Sequence, residues 1–146
     1  MYQNILVPMD GSKRAEAILS HVESIAKSSD AKVFFLKVEE EPIMLERDEV
    51  IDVAKYHEKF ENRIKLSQTY LGDLQTGFRE KGINAVTQVA FGSVVKAILN
   101  TAAETDTDLI AMATHGLSGL ARVSYGSVAA GVLQTADIPI LLIRSL

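Results

Sequence analysis

The chain has 146 residues, 47% hydrophobic and 23% charged, which suits one soluble domain spanning 1–146 with room for a sizeable core. Its net charge of −4 argues against nucleic acid and anionic membrane as partners, since both call for basic patches. The lack of cysteine excludes disulfides and thiolate chemistry, and no apolar run nears the roughly 20 residues of a membrane span. A cytoplasmic location is expected, because Met1-Tyr2-Gln3-Asn4-Ile5 lacks the basic-then-apolar layout of a signal peptide.

Ile5-Leu6-Val7 reads as a short buried strand that ends at Pro8 and a turn at Asp10-Gly11. Ser12 can cap the following helix, whose inward face carries Ala15, Ile18, Leu19, Val22 and Ile25. Ala31 to Val38 is a second buried strand. The acidic run Glu39-Glu40-Glu41-Pro42, continued by Glu46, Asp48 and Glu49, is expected to be a solvated loop rather than an acidic docking site. From Asp48 to about Lys81 the pattern is helical, with Val53, His57, Phe60, Ile64, Leu71, Leu74 and Phe78 near one stripe and Gly82 as its stop.

Asn84 to Ala90 alternates and carries Thr87 and Gln88, as suits a strand at a sheet edge. Gly92-Ser93 opens a helix with Val94, Val95, Ile98 and Leu99 inward. Leu109 to Ala113 is an uninterrupted apolar strand that passes into a loop with Gly116 and Gly119. Gly126-Ser127 then precedes a helix over Val128 to Ala136, and Pro139 to Ile143 closes the chain as a strand. Strands without polar alternation, separated by helices, imply a parallel sheet covered on both faces. A glycine loop between a buried strand and a helix N-terminus suits phosphate, because backbone N–H groups can approach an anion there and the helix dipole favours it.

The spacing Ala113-x2-Gly116-x9-Gly126-Ser127 resembles the nucleotide-loop motif of the universal stress protein family, Gly-x2-Gly-x9-Gly-(Ser/Thr). Val7-Pro8-Met9-Asp10-Gly11-Ser12 is similar to that family's first strand and turn, and Ile138-Pro139-Ile140-Leu141-Leu142-Ile143-Arg144 to its last strand. Ala113 stands where the motif has its first glycine, and Leu117 where a basic residue often follows His-Gly. The resemblance implies a single doubly wound five-stranded parallel sheet of order 3-2-1-4-5, with helices on both faces. In that order the cleft lies at the ends of strands 1 and 4, where the winding reverses.

The resemblance further implies ATP as the ligand. Val38 would meet the adenine through its backbone, Asp10 would approach the ribose or the adenine side, Met112 and Ala113 would lie against the ribose, and Pro8 would belong to the same site. Gly116, Gly126, Ser127 and Val128 would cradle the phosphates, with His115 and Arg122 as further loop candidates. Mg²⁺ would arrive on the phosphate oxygens, because no protein cage is visible in the sequence. Other roles stay open: Asp10 as a helix cap, Ser127 as an N-cap, and His115 as a backbone hydrogen-bonder.

Catalytic signatures are missing from the sequence. There is no Gly-x-Ser-x-Gly, no Walker lysine loop, and no second histidine after Thr114-His115-Gly116-Leu117. A binding switch is therefore expected, ahead of a protein-contact module without nucleotide or a slow ATPase with no catalytic residue assigned. An unknown protein partner is implied in the first two cases. The apolar last strand, Ile138 to Ile143, sits at an edge and is expected to pair with a second copy in a homodimer, unless a helix covers it.

Overall fold

The computed structural model describes residues 1–40, 53–115 and 126–145. Five strands, β1 (Asn4–Pro8), β2 (Lys32–Glu39), β3 (Ala85–Phe91), β4 (Leu109–His115) and β5 (Ile140–Ser145), form one sheet. All neighbours run parallel, in the order β3-β2-β1-β4-β5. This is the expected 3-2-1-4-5 arrangement, with β3 and β5 at the edges. Four helices connect the strands: α1 (Leu19–Ser29), α2 (Val53–Glu80), α3 (Val94–Glu104) and α4 (Ser127–Thr135).

The central stretches of β1, β2 and β4 are apolar because both faces of the sheet are covered there, whereas the edge strand β3 exposes Thr87 and Gln88. Ile5, Val7 and Phe35 point to one face, where they bury Val22 of α1 and Leu71 and Phe78 of α2. Phe35 and Phe78 meet edge to face at 4.9 Å. Leu6, Leu36, Ile110 and Met112 point to the other face, against Ile98 of α3 and Val132 of α4. The period of two along each strand thus sends alternate residues into two separate cores.

Several local expectations are revised. Ser12 accepts a hydrogen bond from the Ala15 N–H at 3.1 Å, but the turn it opens, Ala15–Ile18, is 3₁₀ and only then becomes α1. The α2 stripe splits in two. At 28 residues the helix is about 42 Å long, whereas a seven-residue strand spans about 23 Å. Its later half is the part buried on the sheet, so Leu71 and Phe78 are buried while His57 is exposed. The earlier half meets the strand ends through Phe60 on Phe91 and Arg63 on Glu39. β4 runs two residues further than Ala113, because Thr114 and His115 pair with Arg144 and Ser145 of β5. His115 therefore ends a strand instead of sitting in the loop.

Glu39 overturns the solvated-loop reading at its first residue. It is the last residue of β2 and only 5% exposed. Lys37 Nζ donates to its Oε1 at 2.6 Å, Arg63 of α2 donates to Oε2 at 2.8 Å, and the Ser67 hydroxyl donates to Oε1 as well. Burial alone raises the Glu39 carboxyl, but the Lys37, Ser67 and Arg63 donors outweigh it and bring the pKa down to about 2. Glu40, the next residue, is exposed as expected, and the rest of the acidic run, Glu41 to Glu49, lies outside the described residues.

Candidate functional site

At the carboxyl ends of β1 and β4, where the winding of the sheet reverses, the described residues enclose a cleft of about 240 Å³. β1 contributes Pro8, Met9 and Asp10 at its tip, and β2 contributes Leu36 and Val38. Met112, Ala113 and Thr114 come from β4, while Val94 and Ile98 of α3 form an apolar wall. Gly126, Ser127, Val128 and Ala129 bring the start of α4 to the same cleft.

The β1 tip is held by a relay of short-range bonds. Asp10 Oδ1 accepts from the Ser12 N–H at 2.9 Å and from the Ser12 hydroxyl at 2.6 Å. Ser12 in turn carries the Ala15 amide, so the capping role passes to Ser12 while Asp10 holds the turn itself. Partial burial pushes the Asp10 carboxyl up, but the Ser12 bonds and the nearby Arg14 charge bring it below the ordinary value. Asp10 is therefore a fixed anion at neutral pH.

β2 runs past the end of β1, since Pro8 pairs with Leu36 and β2 continues to Glu39. The Lys32 N–H donates to Gln3 on the β1 side and the Val33 N–H to Asn84 on the β3 side, so even-numbered residues of β2 present their polar backbone to β1. The last main-chain bond between the two strands runs from the Met9 N–H to the Leu36 C=O at 2.7 Å. The Val38 N–H and C=O come next in that alternation and lie past the end of β1. They offer the cleft a donor and an acceptor side by side.

The start of α4 is built differently from its expected form. Gly126, not Ser127, holds the N-cap position, at φ 77° and ψ 157°, a region that only glycine occupies readily. Among the described residues no side chain caps the helix, and Ser127 is its first residue. The first N–H groups of α4 thus lack the partner a capping side chain would give them, and they lie at the cleft wall.

Eight sequence-predicted residues meet in this cleft: Pro8, Asp10, Val38, Met112, Ala113, Gly126, Ser127 and Val128. His115 ends β4, and Gly116 and Arg122 lie outside the described residues. Sequence reasoning missed Leu36, Thr114, Val94, Ile98 and Arg14, all of which line the cleft. Two-residue alternation from Val38 and Met112 points to Leu36 and Thr114, and helical spacing pairs Val94 with Ile98. Arg14 carried no such signal. Among the described residues no cluster of three or more His, Asp or Glu side chains could hold a metal, and no helix is long and apolar enough to cross a membrane.

Residues 1–144 match the family model described as the universal stress protein family. The chain is 29% identical to universal stress protein YxiE of Bacillus subtilis, over 99% of this chain and 100% of that one. It is 32% identical to a universal stress protein of Staphylococcus saprophyticus, over 99% of this chain and 84% of the relative. Among solved structures, hypothetical protein MJ0577 superposes with a TM-score of 0.81 at 24% identity, covering 100% of this chain and 98% of that one. A universal stress protein in complex with cAMP superposes at 0.71 with 22% identity, covering 98% and 97% of the two chains. One from Archaeoglobus fulgidus in complex with dAMP superposes at 0.64 with 21% identity, covering 97% and 98%. At these identities the structures carry the fold, while the family match spans nearly the whole sequence. The chain belongs to the universal stress protein family.

Proposed function

We propose that this protein binds an adenine nucleotide, ATP carried with Mg²⁺, at the cleft between β1 and β4 and acts as a regulatory switch. The observation that carries this reading is the convergence of two backbone features on one cleft. The Val38 N–H and C=O past the end of β1 suit the edge of a base, and the uncapped start of α4 behind Gly126 suits a phosphate chain. Met112 and Ala113 lie between them against the sugar, with Asp10 beside it. The adenine nucleotides bound by the two structural neighbours support the ligand class.

Mg²⁺ rides on phosphate oxygens in this reading, since Asp10 is the single carboxylate among the described lining residues and Ser12 already engages it. Nucleotide occupancy changes the surface offered to a protein partner in the cytoplasm, and no catalytic residue is assigned. A homodimer forms through β5, whose outer edge has no strand beside it among the described residues and whose Ile140 to Ile143 are only partly buried. Mass spectrometry of denatured protein purified without added ligand, followed by titration with Mg-ATP, tests the reading. Neither co-purified nucleotide nor heat of binding would leave the alternative, a module acting through protein contacts alone.

A further inference from the structure

We propose that Arg14 is the cation of the phosphate end of this cleft, and that it makes the site discriminate nucleotides by the charge on their phosphate chain. This rests on the adenine-nucleotide reading above. Arg14 lies just before the 3₁₀ turn Ala15–Ile18, a segment that packs over β4 and β5. The cleft is apolar at its β2 end, where Leu36 and Val38 face Val94 and Ile98. Its polar end is at β4 and α4, with Thr114, Gly126 and Ser127. Arg14 thus lines the same cleft as Gly126 and Ser127, on a segment that packs over the β4 and β5 side of the sheet.

Charge balance makes that position consequential. Asp10 holds its negative charge at the cleft wall, so an incoming phosphate chain meets a like charge there. The α4 N-terminus offsets this with a partial positive charge only. Arg14 is the one cationic side chain among the described residues that line the cleft. It is exposed, and although its charge already acts on Asp10, among the described residues no hydrogen bond ties its guanidinium, so its donors can reach phosphate oxygens. The benefit of such a contact grows with each added phosphate and vanishes for a nucleoside.

Isothermal titration of wild type, Arg14→Gln and Arg14→Ala with Mg-ATP, ADP, AMP and adenosine tests this, with thermal unfolding as the control for folding. Removing the charge should weaken ATP about 10-fold and AMP less, and leave adenosine within about two-fold. Arg14→Lys should recover part of the loss, and added salt should weaken the wild type more than Arg14→Gln. Unchanged ATP affinity, or an equal loss for ATP and adenosine, overturns the assignment to Arg14 alone. Wild-type protein that binds neither ATP nor adenosine overturns the nucleotide reading and this inference with it.

Discussion

Gly131 of α4 faces Val95 of α3 so closely that a Cβ on the glycine would stand 2.7 Å from Val95 Cγ2 and 3.3 Å from Cγ1. The two helices that cover one face of the sheet meet at this point with only the Val95 side chain between them. Valine is stiff about χ1, so the added carbon must be relieved by moving a helix. Gly131→Ala gains about 1 kcal/mol of helix propensity and loses about 1–3 kcal/mol to overpacking. A net loss of about 1 kcal/mol in urea unfolding is expected. Because α4 also carries Gly126 and Ser127, the same shift should weaken nucleotide binding. A more stable variant with unchanged binding would show that Val95 rotates away instead.

Glu39 ties β2 to α2, and its folded pKa of about 2 sets a pH window. The folded value lies below the unfolded one of 4.5, so the carboxylate stabilises the fold fully above about pH 5. That contribution is lost as pH falls from 4.5 toward 2. Arg63 is half in water, which screens its share and leaves about 1–2 kcal/mol. Glu39→Gln should therefore be less stable than wild type at pH 7, and the gap should narrow steadily below pH 4.5. Urea titrations of both proteins across this range measure it directly, and a gap independent of pH would exclude the ion pairs as its source.

Gly126 stands at φ 77° and ψ 157°, where any Cβ is strained. Gly126→Ala should cost about 1–3 kcal/mol of stability or force the peptide to turn, withdrawing the first amides of α4 from the cleft. Mg-ATP binding should fall by about 10-fold or more in either case. Retained affinity in a folded Gly126→Ala protein would mean that the phosphates lie elsewhere.

How far the fold was legible follows from where its signals are local. Ile5-Leu6-Val7, Val33 to Leu36 and Leu109 to Met112 read as strands because a sheet covered on both faces demands unbroken apolar runs. The spacing of Ala113, Gly116, Gly126 and Ser127 marked one side of the cleft, and Pro8 and Asp10 the other. Glu39 was misread because a carboxylate beside two others resembles a solvated turn. Its partners Arg63 and Ser67 lie 24 and 28 residues away, and nothing local announces them. Arg14 was passed over for the same reason: an exposed arginine becomes informative only once the fold sets it in the same cleft as the start of α4. The α2 stripe was right in period but silent about length, since how much of a helix finds a sheet to cover depends on the strands.

Base selectivity follows from Val38. Its N–H can donate and its C=O can accept past the end of β1, in a cleft walled by Val94 and Ile98. Adenine presents a matching acceptor and donor, N1 and the N6 amine. Guanine reverses both, with O6 as acceptor and N1–H as donor, so each backbone group would face its like and stay unpaired. ATP should bind at least about 10-fold more tightly than GTP in matched titrations. Val38→Pro removes the donor without taking a bond from the β1–β2 ladder, whose last member is the Met9 N–H to Leu36 C=O contact. That variant should stay folded, lose most of its affinity for ATP and lose its preference over GTP. Equal affinity for ATP and GTP in the wild type would remove Val38 from the base site, because a backbone donor and acceptor in fixed order cannot serve both purines.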